Sequence, residues 1–376
     1  MSGIYVHVPF CLSKCGYCDF YSITRNLDKG RFVEAVAREL TYRSDYFTDK
    51  RIDTIYFGGG TPSLLKSGQL EYLLDSIRQH FHLASDHEIT LEANPDDLQE
   101  QVLDSFRKAG INRLSIGIQS FDDQHLRLMN RRHSSKQAVN AVDMARKAGF
   151  ERISIDLIYG IPGMNLQGWI RNLEQAVALP VGHISAYHLT IEPGTPFSRY
   201  KSQGVIKEVI EKDSVEQYNT LINRLSAAGF DMYEISNFAR NGEYSRHNLK
   251  YWLGDHYLGL GPSAHSFNGR QRHWNPGSLL RYYAMVETAK PPEGEQIDRQ
   301  TAYNELIMTR LRTMWGLTEG EVVNLFGEKA WNTLLAAAQP FIQSGDLVLM
   351  NDNRLVFNKE GWFRSDGILS RLFHLS

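Results

Sequence analysis

The chain has 376 residues, 42% of them apolar and 22% charged, with a formal net charge of −2, which suits one large domain, or one large and one small, with an ample core. That balance excludes a global pull toward nucleic acid or anionic lipid, and no run approaches the ~20 apolar residues needed to span a bilayer. Three cysteines, an odd number crowded into one stretch, exclude a disulfide framework and point to a reducing, cytosolic setting.

The opening MSGIYVHVPF has no basic leader and only a short apolar run, which argues against a secretory signal. The sequence carries no mark for or against peripheral membrane contact. GIYVHVP (3–9) is the first candidate strand, and CLSKCGYC (11–18) follows it with all three cysteines, Cys11, Cys15 and Cys18. Three readings compete for this C-x3-C-x2-C spacing. Buried structural thiols scatter through a core rather than crowd into a loop. A zinc site wants four ligands, usually from two separated pairs, and His7, a fourth donor in principle, sits in a strand pattern at awkward spacing. An iron–sulfur cluster held by three thiolates leaves one iron without a protein ligand, which is what a reactive site needs.

Further strands are read at DTIYFGGG (53–60), EITLEANP (88–95), RLSIGIQS (113–120), RISIDLIYG (152–160) and HISAYHLTIEP (183–193). Helical patterns lie between them, for example over 134–148, where Ser134 can cap the start and Gly149 can end the helix in left-handed conformation. FRKAGINRLSIGIQSF (106–121) and ARKAGFERISIDLIYG (145–160) repeat one another, their glycines 39 residues apart, and AAGFDMYEISNF (227–238) reads as a degenerate third copy. Strand–helix alternation predicts an α/β fold, a partial (β/α)6 TIM-type barrel whose working residues gather at the carboxyl ends of the strands. YFGGGTP (56–62) follows a strand and fits neither a dinucleotide fingerprint nor a P-loop; its glycines form either a tight turn or a close approach to a ligand. Glu92 and Gln119 end the third and fourth strands, Asp156 lies in the fifth, and Arg131 follows in the next helical region. Each alone could satisfy a turn or a cap; recurrence at strand ends is what a ligand site at a barrel mouth predicts.

We expect residues 1–240 to form this core and 241–290 to pack on it as an extension. Residues 291–376 would then make a small winged-helix-like α+β module, with helices near 299–314, 319–326 and 329–344 and two short strands. That last segment holds 8 Lys/Arg against 11 Asp/Glu, so we expect no nucleic-acid binding there.

The cysteine motif, with the aromatic Tyr17 before Cys18, resembles that of the radical S-adenosylmethionine (SAM) enzymes. The resemblance implies a [4Fe-4S] cluster whose fourth iron is chelated by SAM, and reductive cleavage of SAM to a 5′-deoxyadenosyl radical. It also implies that Gly59, Gly60 and Thr61 meet the methionyl amine.

A narrower likeness runs along the whole chain. YVHVPFC, CGYCDF, FGGGTPSLL, LEANP, SIGIQSF, DLIYGIPG, YHLTIEPGTPF and YEISNFA resemble the oxygen-independent coproporphyrinogen III oxidase group. This implies SAM contacts from Tyr5, Tyr17, Gly59, Gly60, Thr61, Glu92, Gln119, Arg131 and Asp156, with Tyr187 and His265 as additional ones. Two departures separate the chain from the oxidases. Phe20 stands where they carry a further cysteine, and only ten residues precede Cys11 where they carry an N-terminal extension. Both count against coproporphyrinogen decarboxylation and match the heme-chaperone (HemW) branch, which binds heme and delivers it to respiratory proteins. RHNLKYWLGDHYLGLGPSAHSF (246–267) contains the H-N-x-x-Y-W pattern of that branch. There His247 is a candidate iron ligand, and Tyr251 and Trp252 offer flat area to a macrocycle, although an aromatic segment with histidines is often ordinary core. The expected partners are heme as cargo, heme-accepting respiratory proteins and an electron donor to the cluster. The alternatives are a coproporphyrinogen III oxidase and a radical alkyl-transfer enzyme holding a second SAM.

Overall fold

Along each central strand, side chains alternate between two environments. Ile4, Val6 and Val8, then Ile55 and Phe57, then Ile89 and Leu91, and likewise Leu114, Ile116, Ile153 and Ile155, are almost completely buried. The intervening positions are polar or small: Gly3, Tyr5 and His7, then Thr54, Tyr56 and Gly58, then Glu88, Thr90 and Glu92. A period of two places the first set against the surrounding helices and the second set inside the curved sheet. Apolar outside and polar inside is the pattern of a barrel that holds a polar ligand instead of a packed apolar core.

The computed structural model describes residues 1–25 and 28–373. In chain order, β1 (Ser2–Val8) leads to α1 (Lys29–Tyr42), β2 (Arg51–Gly59) to α2 (Ser67–His80), and β3 (His82–Ala93) to α3 (Glu100–Ala109). β4 (Arg113–Gln119) precedes α4 (Asp123–Leu128) and α5 (Ser135–Lys147), β5 (Arg152–Tyr159) precedes α6 (Leu166–Ala178), and β6 (His183–His188) precedes α7 (Pro196–Ser202) and α8 (Glu211–Ala227). The strands lie side by side in sequence order and parallel, the βαβ arrangement expected of alternating elements. α5 begins at a Ser134 cap whose hydroxyl accepts from Gln137 N, and Gly149 follows it at φ 85°, as the turn residues predict.

The chain then departs from simple repetition. β7 (Asp231–Glu234) and β8 (Asn237–Ala239) make a tight antiparallel hairpin on the β6 edge. The third copy read at 227–238 thus forms this hairpin, because a two-residue connection cannot carry the crossover that a parallel strand needs. α9 (Arg246–Leu253) enters the barrel, and β9 (Tyr257–Leu260) pairs parallel to β1 on its free side. β10 (His265–Phe267) and β11 (Gln271–Trp274) follow, then α10 (Leu279–Glu287) and β12 (Glu293–Gln296), continuing that edge in antiparallel fashion. The sheet has 12 strands in the order β12-β11-β10-β9-β1-β2-β3-β4-β5-β6-β8-β7. Among the described residues its two ends do not pair, so the barrel is partial.

The extension of the main sheet therefore runs past the boundary expected at 290, since β12 pairs with β11. Beyond them, α11 (Arg299–Leu311), β13 (Leu317–Thr318), α12 (Glu319–Phe326), α13 (Glu328–Gln343), β14 (Leu347–Leu349), β15 (Arg354–Phe357), α14 (Lys359–Phe363) and α15 (Ser365–Leu372) surround a separate three-stranded antiparallel sheet. Residues 374–376 of the segment read as a small module lie outside the described residues. Among the described residues no helix is long and apolar enough to cross a membrane.

Candidate functional site

The loop after β1 carries the three cysteines. It is tied back on itself, Cys11 N donating to Ile23 O and Ile23 N to Pro9 O, and Gly16 N donates to Met129 O across the barrel mouth. All three thiols are free and partly exposed, and all face one cavity of about 470 Å³.

A belt of hydrogen bonds joins two of the cysteines. Thr61 Oγ1 donates to Cys11 Sγ (3.5 Å) and accepts from Asn94 Nδ2 (3.3 Å). Asn94 Oδ1 accepts from Arg131 Nη2 (2.5 Å), and Arg131 Nη1 reaches Cys15 Sγ (3.4 Å). Sulfur-directed donors of this kind stabilise thiolate over thiol. Burial works the other way, raising the Cys11 thiol and pushing Cys18 up to about 11, a cost that a bound cation offsets. His7, the fourth donor a zinc site would need, is engaged elsewhere: Nε2 bonds Tyr21 O (2.9 Å) and Nδ1 bonds the Tyr5 hydroxyl (3.1 Å).

The glycine triplet earns its three members within the protein itself. A Cβ on Gly58 would stand 2.8 Å from the Tyr56 ring and 3.0 Å from Glu92 and Tyr5; Gly59 has φ 105° and lies against the His7 ring. A Cβ on Gly60 would meet the carbonyl oxygens of Val8 and Phe10 at 2.8 Å. These contacts bring the end of β2 against the root of the cysteine loop, and Gly60 N donates to Val8 O.

Opposite the thiols, strand ends supply carboxylates. Glu92 accepts from the Tyr56 hydroxyl (2.8 Å) and from Gly59 N (3.2 Å). Burial, with Asp156 nearby, pushes its carboxyl up to about 7. Asp156 accepts from Ser115 Oγ (3.3 Å), and burial raises it too. Two partly buried acids in the wall of one cavity offer acceptors to a cationic ligand. Gln119 holds φ 67°, a left-handed conformation for a residue with a Cβ, and such strain gathers at ligand sites. Arg131 Nε is buried without a partner, one more donor available to a bound group.

Of the residues singled out from sequence, Cys11, Cys15, Cys18, Tyr17, Gly59, Gly60, Thr61, Glu92, Gln119, Arg131, Asp156 and Tyr187 all line this cavity. Tyr5 stands beside it, packed on Tyr56 and His247. His265 does not reach it; its ring lies exposed along Trp274. Asn94, Ser115 and Asn248 line the cavity and were not singled out. Asn94 and Asn248 sit inside the quoted motifs LEANP and H-N-x-x-Y-W, and that placement was their only signal.

α9 closes the floor of the barrel. Its first-turn Arg246 N and His247 N donate to Glu88, a carboxylate projecting inward from β3 (3.3 and 3.2 Å). His247 is 1% exposed, with Nδ1 bonded to Thr54 Oγ1 (2.9 Å) and Nε2 to the Tyr251 hydroxyl (3.0 Å). Burial, with Lys250 close by, lowers its pKa to about 3, so the ring is neutral. Both nitrogens are thus in use inside the protein. Tyr251 is 37% exposed, and the carbonyls of Trp252 and Leu253 accept from Arg310 of α11. His247 and Tyr251, one helical turn apart, share the face of α9 turned to the barrel, the tyrosine hydroxyl directed at the histidine and its ring partly exposed.

The family model described as the Radical SAM superfamily matches residues 5–176. A heme chaperone HemW of Mycobacterium tuberculosis is 35% identical, over 98% of this chain and 94% of the relative. Another heme chaperone HemW, from Bacillus subtilis, is 33% identical over 87% of each. The structure of coproporphyrinogen III oxidase (HemN) from Escherichia coli superposes with a TM-score of 0.84 at 23% identity, over 98% of this chain and 89% of that one.

Proposed function

The chain belongs to the radical SAM superfamily and, within it, to the heme chaperone HemW family, and from that premise we propose that it binds heme and passes it to heme-requiring respiratory proteins in a reducing, cytosolic setting. The observation that carries this reading is the match at 35% identity across 98% of the chain. Phe20, a phenylalanine two positions after Cys18 and 64% exposed, agrees with it.

The family implies a [4Fe-4S] cluster and SAM, and the cavity suits both. When bound, the two supply one-electron chemistry, fed by an external electron donor. Cys11, Cys15 and Cys18 offer three thiolates from a single loop, and Arg131 and Thr61 hold two of them by hydrogen bonds to sulfur. Glu92, presented by Tyr56 and Gly59, offers a carboxylate to an ammonium group, and Asp156 offers a second acceptor deeper in the cavity. Tyr17 and Tyr187 line the cavity and provide aromatic surface for an adenosyl group. For the heme, α9 contributes the partly exposed rings of Tyr251 and Trp252. Decarboxylation of coproporphyrinogen III is the competing reading, since the oxidase shares the fold.

The test is anaerobic reconstitution with iron and sulfide, followed by parallel assays. Saturable uptake of hemin with a defined Soret band, and no protoporphyrinogen from coproporphyrinogen III, is the expected pair of results. Product formation without heme uptake would replace this reading with the oxidase.

A further inference from the structure

Of the residues in H-N-x-x-Y-W, His247 is the one the structure places deepest, and a heme ligand is not what its surroundings describe. Its ring stacks on Tyr56 with centroids 5.2 Å apart and planes at 28°, and Tyr5 covers it in turn at 6.3 Å and 28°. The ring is pinned in its own plane at both nitrogens, by Thr54 and by Tyr251. To reach an iron outside the barrel it would have to break the Tyr251 bond and leave a pocket in which it is 1% exposed.

What the ring does hold is Tyr56. That side chain is inward-facing, closely packed against Gly58, and its hydroxyl makes the 2.8 Å hydrogen bond to Glu92 Oε1. Glu92 Oε2 takes Gly59 N, and Glu92 and Tyr56 both border the cavity. A continuous set of contacts thus runs from α9 through His247 and Tyr56 to the carboxylate.

We propose that His247 is a positioning residue of the cofactor cavity: its ring fixes Tyr56 so that the Tyr56 hydroxyl holds the Glu92 carboxylate ready for the ammonium group of SAM. This rests on the reading that Glu92 meets SAM. Groups facing Glu92 are the Tyr56 hydroxyl and Gly59 N, which favour its charged form, and Asp156, which opposes it; the Tyr5, Tyr187 and Tyr251 hydroxyls also feel its charge, and Arg113 and Arg131 line the same cavity. Loosening Tyr56 removes a donor that favours the ionised carboxyl, so ionisation moves to higher pH.

The experiment measures SAM affinity of anaerobically reconstituted protein by equilibrium dialysis at several pH values either side of neutrality, with the heme absorption band recorded in parallel. For His247→Leu, SAM affinity should fall about tenfold and the pH of half-maximal binding should rise. His247→Phe, which restores a flat ring without the nitrogens, should recover most of that loss. Tyr56→Phe should reproduce the pH shift with the His247 ring intact, and reads the same contact should His247→Leu fail to fold. Unchanged SAM affinity and pH midpoint in a folded His247→Leu protein would overturn the proposal. So would a pattern in which the heme band disappears while SAM binding stays put, which assigns the ring to iron. If Glu92→Gln binds SAM as tightly as the unaltered protein, it is the underlying reading of Glu92 that fails.

Discussion

At the scale of single residues, the informative side chains are those whose surroundings disfavour the state they need. Glu92 is the clearest case. Burial raises its carboxyl from an ordinary 4.5 to about 7, and among the described residues no cation pairs with it. The unfolded chain therefore ionises Glu92 first, and folding stability falls as pH rises from the ordinary value toward the raised one. Glu92→Gln removes that penalty. The apoprotein variant should match the unaltered protein below the ordinary carboxylate range and exceed it by about 1–3 kcal/mol above neutrality. Thermal melts at acidic and mildly alkaline pH check this, and a difference that does not grow with pH would show that the carboxylate is compensated. Burial raises Glu234 to about 7 as well, yet Glu234 does not line the cavity, so it is the position of Glu92 in the cavity wall, and not its titration alone, that makes it a ligand candidate. The sequence shows Glu92 as a polar strand end and the three cysteines as a local motif, both legible because they depend on few neighbours. Asn248 and the inward turn of His247 were not legible, because nothing local says that α9 lies inside the barrel.

At the scale of elements, β2 and the cysteine loop behave as one unit. The glycine triplet is read from sequence as either a turn or a ligand approach, and the structure adds a third cause: each glycine makes room for protein atoms. Gly60 is the most constrained by backbone, since Val8, Pro9 and Phe10 immediately precede Cys11. Gly60→Ala should destabilise the fold by about 1–3 kcal/mol, as overpacking does, and should also shift the loop root, so that iron content after reconstitution falls. A variant that melts and loads iron like the unaltered protein would show that the loop does not depend on this contact. Strands were readable because a sheet covered by helices writes β-branched runs into its outward face. Short elements were harder. The β7–β8 hairpin shares its motif with true β/α units, and only the two-residue turn between Glu234 and Asn237 decides that it folds back.

For the whole molecule, the partial barrel leaves an opening that the chain fills with its own later segments. β9 adds a parallel strand beside β1, and α9 plugs the floor. Arg310 of α11 holds the last carbonyls of α9, so the C-terminal segment braces the plug. Thiols, the Glu92 and Asp156 carboxylates and the Arg113 and Arg131 guanidinium groups then share one cavity. That sheet order was legible as far as β6. Its continuation through β9 was not, since a four-residue strand carries little period of its own.

The central proposal, that three thiolates from one loop hold a cluster completed by SAM, is tested most directly by electron paramagnetic resonance of the reduced, anaerobically reconstituted protein with and without SAM. The expected spectrum is that of a [4Fe-4S] centre, absent in Cys15→Ala and altered when SAM is added. A centre that survives Cys15→Ala, or a spectrum indifferent to saturating SAM, contradicts it.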